Sequence, residues 1–194
     1  MKFSASLFGA ALLLASSAVQ AGYQVNVDSS SLSGQTGYIN FSLIGLSDSP
    51  SAQATIRQLL GINLNGPAEW ADGTVFNADG SISLSSDNGS ISDWLQPVVF
   101  SANLSFDLDF AGAWQHAANG SGNTFALKLL DGAYTPLLTQ DIDGNLLSAE
   151  LQPGNTPQFN LAAAATIQAV PEPGTWAMLS AGLLLLGARA ARRR

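Results

Sequence analysis

Phe100-Ser101-Ala102-Asn103-Leu104-Ser105-Phe106-Asp107-Leu108-Asp109-Phe110 alternates apolar and polar residues without a break. Phe100, Ala102, Leu104, Phe106, Leu108 and Phe110 fall on one side; two serines, one asparagine and two aspartates fall on the other. A period of two belongs to an extended chain with one face buried and one face wet. The stretch predicts a long strand, with Phe100, Leu104, Phe106, Leu108 and Phe110 at the centre of the core.

Shorter runs on either side repeat the pattern. Tyr23, Val25 and Val27 alternate with Gln24, Asn26 and Asp28, and Tyr38-Ile39-Asn40-Phe41-Ser42-Leu43-Ile44 follows. Ile82 and Leu84 alternate with serines. Phe125, Leu127 and Leu129 share a face, as do Phe159, Leu161 and Ala163, and Thr166-Ile167-Gln168 ends the last run. Between the runs lie Asn65-Gly66, Asp72-Gly73, Asp79-Gly80, Asn88-Gly89, Asn119-Gly120, Asp131-Gly132 and Asp143-Gly144, dipeptides that accept positive φ and close hairpins. Only Ser51 to Leu60 fits a helix, and it fits equally a strand running on to Leu64. Many short strands with frequent turns predict an all-β fold, an antiparallel β-sandwich of jelly-roll type.

Composition narrows the chemistry. The chain has 194 residues, of which 46% are apolar and 11% charged, so it has ample surface to bury. It has no cysteine and one histidine, which excludes disulfide scaffolds, thiolate metal sites, thiol catalysis and multi-histidine metal sites. The charges are segregated: residues 22–170 hold thirteen acidic and two basic side chains, while Lys2 and four arginines lie at the ends. A segment of net charge −11 repels phosphate backbones, so nucleic acid is not an expected partner.

Both ends read as addresses. Lys2, the apolar stretch Leu7 to Ala15 and the small residues leading to Ala21 predict a signal peptide over residues 1–21, cut between Ala21 and Gly22 by signal peptidase. Nine apolar residues are too few for a span, which takes roughly 20. At the other end, Val170-Pro171-Glu172-Pro173-Gly174 precedes an apolar run from Trp176 to Ala188, with Leu179, Leu183, Leu184, Leu185 and Leu186. Arg189, Arg192, Arg193 and Arg194 follow. The prolines favour extended backbone, Trp176 suits a headgroup interface, and the arginine cluster stops transfer on the cytoplasmic side. The apolar run is short for a span, and thinning of the bilayer or snorkelling of Arg189 makes up the difference. The expected organisation is a signal peptide at 1–21, an ectodomain at 22–168 and a sorting tail at 169–194, with a short linker at about Ala169 to Gly174. The ectodomain is thus flanked by an N-terminal signal helix and a C-terminal hydrophobic helix.

Pro-Glu-Pro, a short apolar helix and a terminal arginine cluster, in that order, resemble the PEP-CTERM sorting signal of Gram-negative bacteria. The resemblance covers about the last 25 residues. It implies recognition of Pro171, Glu172 and Pro173 by an exosortase, a membrane-embedded cysteine transpeptidase-like enzyme, which removes the tail from an exported, inner-membrane-anchored precursor. It also implies an association with exopolysaccharide and biofilm. The competing reading is a plain anchor that is never cut. The start of the ectodomain, Tyr23 to Asp28 and Ser31 to Phe41, is similar to that of a recurring group of PEP-CTERM proteins without assigned chemistry.

Within the ectodomain, sites for chemistry are sparse. A Ser–His–Asp triad needs a histidine, and His116 lies in a loop-like stretch without a Gly-x-Ser-x-Gly elbow anywhere in the chain. A glycosidase needs two apposed carboxylates, and Glu69, Glu150 and the aspartates form no motif. Asp141-Ile142-Asp143-Gly144-Asn145 opens like a calcium loop, with Asp141, Asp143 and Asn145 as candidate ligands, but lacks the distal glutamate. Glu69-Trp70-Ala71-Asp72 and Ser92-Asp93-Trp94 set tryptophan beside carboxylates, as sugar-stacking sites do, and Trp114 is a third candidate; alternatively each closes an end of the sandwich.

The expectation is therefore a non-enzymatic exported protein of the cell surface or extracellular matrix, needing no cofactor. Its partners are signal peptidase and exosortase during export, the inner membrane transiently, and exopolysaccharide. A carbohydrate-binding module using Trp70, Trp94 or Trp114 is the second reading. A glycan hydrolase joining His116 or Glu69 to a second carboxylate is the third.

Overall fold

The computed structural model describes residues 22–87 and 89–170, with residues 70–72 described as backbone only. Pro171, Glu172, Pro173, the apolar run, the arginine cluster, Ala21 and the segments expected as flanking helices lie outside the described residues. Among those described, no helix is long and apolar enough to cross a membrane.

The strands are β1 (Gly22–Asp28), β2 (Thr36–Gly45), β3 (Ala52–Leu64), β4 (Trp70–Asp72), β5 (Thr74–Phe76) and β6 (Ile82–Ser86). They continue with β7 (Ile91–Ala111), β8 (Asn123–Leu130), β9 (Leu147–Leu151), β10 (Gln158–Leu161) and β11 (Ala165–Val170). Two 3-10 turns, Ser30–Leu32 and Ala113–Gln115, complete the regular structure of the described residues. The ambiguous Ser51–Leu60 segment is strand, and it runs on to Leu64. Ala169 and Val170, expected as linker, close β11 instead. Asp28 begins to tie the chain end down, its N–H donating to Ala164 O at 2.9 Å.

The pairing is antiparallel throughout the registers, and the main path runs β10-β9-β8-β2-β7-β3-β6-β5. The long strand β7 organises it. Along one edge its first half pairs with β2, from Ile91 against Ile44 to Val99 against Thr36. Its second half pairs along that edge with β1, from Asn103 against Asp28 to Leu108 against Tyr23. At the changeover, Ser29 N–H donates to Ala102 O at 3.0 Å and Gly34 N–H to Phe100 O at 2.8 Å. Ala102, expected inside by strict alternation, is exposed there, because β2 has ended and β1 has only begun. Its neighbours Phe100, Leu104, Phe106, Leu108 and Phe110 are all buried, 0–2% exposed.

The opposite edge of β7 carries β3, and here the register slips between Arg57 and Leu60 and again before Ile62. The slip uses Gln58 at φ 51° and Gly61 at φ 84°. A Cβ on Gly61 would stand 1.8 Å from Asn103 O, so only glycine fits this crossing.

Rings from separate segments of the sheet meet mostly edge to face. Phe41 of β2 lies edge-on to Phe106 of β7 at 5.2 Å and stacks on Trp94 at 5.8 Å. Phe125 of β8 meets Phe110 at 5.6 Å, and Phe159 of β10 meets Tyr23 of β1 at 4.8 Å. None of the Phe41–Phe106, Phe125–Phe110 or Phe159–Tyr23 pairs is a ladder neighbour, so these contacts join segments that hydrogen bonds do not. Burying such rings, each worth a few kcal/mol, is the main stabilising force of the domain.

Polar residues between the ladders are satisfied locally. Asn123, fully buried, accepts from Ser86 Oγ at 2.6 Å and donates to Pro50 O at 2.8 Å. Ser92 Oγ donates to Ser85 O at 2.6 Å and accepts from Ser85 N–H at 3.0 Å. Such bonds repay the desolvation of a Ser- and Asn-rich interior.

Candidate functional site

The three tryptophans expected to meet sugar do not form one surface. Trp94 is 3% exposed, stacked on Phe41 and edge-to-face with Phe76, and Trp114 is 2% exposed. Trp114 Nε1 donates to Ala111 O at 3.1 Å, and its carbonyl accepts from Gly154 N–H at 2.7 Å. These two rings are core, which corrects the expectation of sugar contact at Trp94 and Trp114. Trp94 has the inward parity of Phe100 along β7, and Trp114 closes the end of that strand. Trp70 occupies a ladder position opposite Leu95 in β4.

The calcium-like loop is built as a turn. Asp141 Oδ1 accepts from the N–H groups of Asp143 at 3.0 Å and Asn145 at 3.1 Å, and Thr139 Oγ1 donates to Asn145 O at 2.6 Å. Among the described residues no group of three or more His, Asp or Glu side chains gathers to hold a metal. The same turn chemistry recurs at Asp28, Asp79 and Asp131, whose carboxyls are held below the ordinary carboxylate value by hydrogen bonds from nearby hydroxyl or N–H groups. His116 is exposed at the end of the 3-10 turn Ala113–Gln115, its N–H donating to Ala113 O at 3.1 Å. Glu150 accepts from Thr124 Oγ1 at 2.9 Å across the β8–β9 ladder.

An open cleft of about 650 Å³ lies beside the β9–β10 hairpin, lined by Thr139, Gln140, Asp141, Asn145, Ser148 and Asn160 together with the apolar Leu138, Leu161, Ala162 and Ala163. Leu161, expected inside, is 40% exposed on this rim because β10 has only β9 as a neighbour.

A cluster not foreseen from the sequence stands at the surface of the β2–β7–β8 region. The Tyr38 and Tyr134 rings stack at 4.9 Å with an interplanar angle of 21°. Both phenols donate to one carboxylate, Tyr38 to Glu69 Oε1 at 2.9 Å and Tyr134 to Glu69 Oε2 at 2.7 Å. Three segments deliver these residues. Tyr38 lies in β2 opposite Pro97 and Leu130. Glu69 is fixed as its N–H donates to Leu95 O at 2.9 Å, just before β4. Tyr134 stands in the turn after β8, where Asp131 Oδ1 accepts from Ala133 N–H and Thr135 N–H, both at 2.8 Å. Tyr134 adopts φ 61°, the left-handed region that bulky side chains avoid. Gly132, by contrast, is absent from the positive-φ glycines, so the turn after Asp131 is made by tyrosine where the Asp-Gly pair predicted glycine. The Tyr134 hydroxyl is held well above the usual tyrosine value, first by its bond to Glu69 and then by Tyr38.

The C-terminal residues carry a sorting signal, which supports an exported, exosortase-sorted protein and implies a membrane-anchored precursor. Residues 169–194 match the PEP-CTERM protein-sorting motif. No curated protein matches the chain. Among solved structures, it is similar to one described as AvmM catalyzing macrocyclization in alchivemycin A biosynthesis. That alignment has 13% identity and a TM-score of 0.23, covering 76% of this chain and 73% of that one, and bears on neither fold nor chemistry.

Proposed function

We propose that this chain is a non-enzymatic β-sandwich of jelly-roll type, presented at the cell surface or in an exopolysaccharide matrix after exosortase removes its tail. The observation that carries the reading is the sorting motif at residues 169–194, which begins within the last strand of an all-β domain, two residues overlapping β11. The edge-to-face ring contacts between segments that share no ladder support the sandwich. Signal peptidase would cut between Ala21 and Gly22, the residue at which β1 starts. The domain's role is presentation: an acidic surface of net charge −11 keeps it dispersed among hydrated chains.

The experiment is intact-mass spectrometry of the protein from cells with and without their exosortase. Exosortase-positive cells should yield a product lacking Trp176 to Arg194, and Glu172→Ala should preserve the tail. A retained tail in wild-type cells, or unchanged processing of Glu172→Ala, refutes the reading.

A further inference from the structure

We propose that Tyr134, Tyr38 and Glu69 form a binding platform for a hexose polymer that carries no negative charge. Three observations support it. Tyr134 is 51% exposed even though its ring stacks on Tyr38, so an aromatic surface remains open to a pyranose ring. The tyrosine is held at φ 61° by the Asp131 turn, a costly placement for an aromatic that burial does not repay. The two phenols fix the Glu69 carboxylate by one bond to each oxygen, leaving lone pairs on both oxygens to accept sugar hydroxyls. Flat ring, preset carboxylate and phenolic oxygens are the groups a saccharide site combines.

Charge selects among polymers. A domain of net charge −11 with a carboxylate beside the ring repels uronic-acid chains and admits neutral or amine-bearing ones. The rings are parallel and cover one side only, so they build a platform and not the enclosing cage that a small quaternary ammonium requires. The proposal relies on the matrix-facing reading above only for access to polysaccharide.

The test is affinity electrophoresis of the full chain in a zwitterionic detergent. Gels would contain a neutral glucan, a partly deacetylated N-acetylglucosamine polymer or a polyuronate. Wild-type protein should be retarded by the glucan or the amine-bearing polymer, which distinguishes the two sources, and not by the polyuronate. Tyr134→Gly removes the ring while relieving the left-handed backbone, so it should melt no lower than wild type yet bind about tenfold more weakly. A second readout needs no variant: oligosaccharide of the retained polymer should slow iodination of Tyr134, read by peptide mass. Absence of retardation by both polymers, preferential retardation by polyuronate, wild-type retardation of a folded Tyr134→Gly, or unprotected Tyr134 overturns the proposal, and leaves the cluster a staple between loops. Tail processing, scored on the same cells, should be normal in Tyr134→Gly. Failure of sorting and failure of the platform are thus read separately.

Discussion

Replacing Phe41 by alanine would remove the ring on which the two halves of the sheet converge. Phe41 is 0% exposed and contacts Trp94, Phe106 and Phe125, at 5.8, 5.2 and 6.1 Å. Two of these partners lie in β7 on opposite sides of the changeover from β2 to β1; Trp94 is a ladder partner of Phe41, whereas Phe106 meets it through side chains alone, so the cavity would open where that second contact is made. Truncating a fully buried phenylalanine costs about 3–5 kcal/mol. For a domain of this size, unfolding entropy converts about 4 kcal/mol into a fall in melting temperature of roughly 10–15 °C. Differential scanning calorimetry on wild type, Phe41→Ala and Phe41→Leu would measure it. The leucine variant keeps most of the volume and should lose under half as much. Were the sheet a single flat layer, Phe41 would lie on an uncovered face and truncation would cost well under 1 kcal/mol. A fall of less than about 3 °C in Phe41→Ala would therefore refute the packing argument.

Two further outcomes follow from local geometry. Gly61→Ala should destabilise far more than Gly34→Ala, because both have positive φ but only Gly61 has a carbonyl in the way, at 1.8 Å from the added Cβ; chemical denaturation would give the order, with Gly34→Ala costing about 1–2 kcal/mol. Tyr134 should form tyrosinate only above the ordinary value of 10.0, since Glu69 holds its proton, and Glu69→Gln should lower that titration when followed by ultraviolet absorbance. A titration unmoved by Glu69→Gln would show that the hydrogen bond is not what shifts it.

The sheet was legible wherever one face is buried and the other wet. From Leu104 to Phe110 alternation and burial coincide residue by residue, and they part at Ala102 because strand neighbours change there. Extending that parity backward from Phe100 through Val98 and Gln96 would have placed Trp94 inside. The Ser51–Leu60 segment resisted assignment because its apolar spacing fits both periods, and pairing with β6 and β7 resolves it. The Tyr38–Glu69–Tyr134 cluster left no local trace. Its members are 31 and 65 residues from Glu69, and only ladder register and a left-handed tyrosine bring them together. The tail was legible because its signal is linear: three ordered blocks need no fold to be recognised.

Among the described residues a single ion pair, Arg57 with Asp109, crosses the surface of this strongly acidic domain, and both partners are partly solvent-exposed. Added electrolyte therefore has little attraction to weaken and much carboxylate repulsion to damp. Brine should tighten this fold, giving a molecule suited to surroundings whose salinity rises as water leaves.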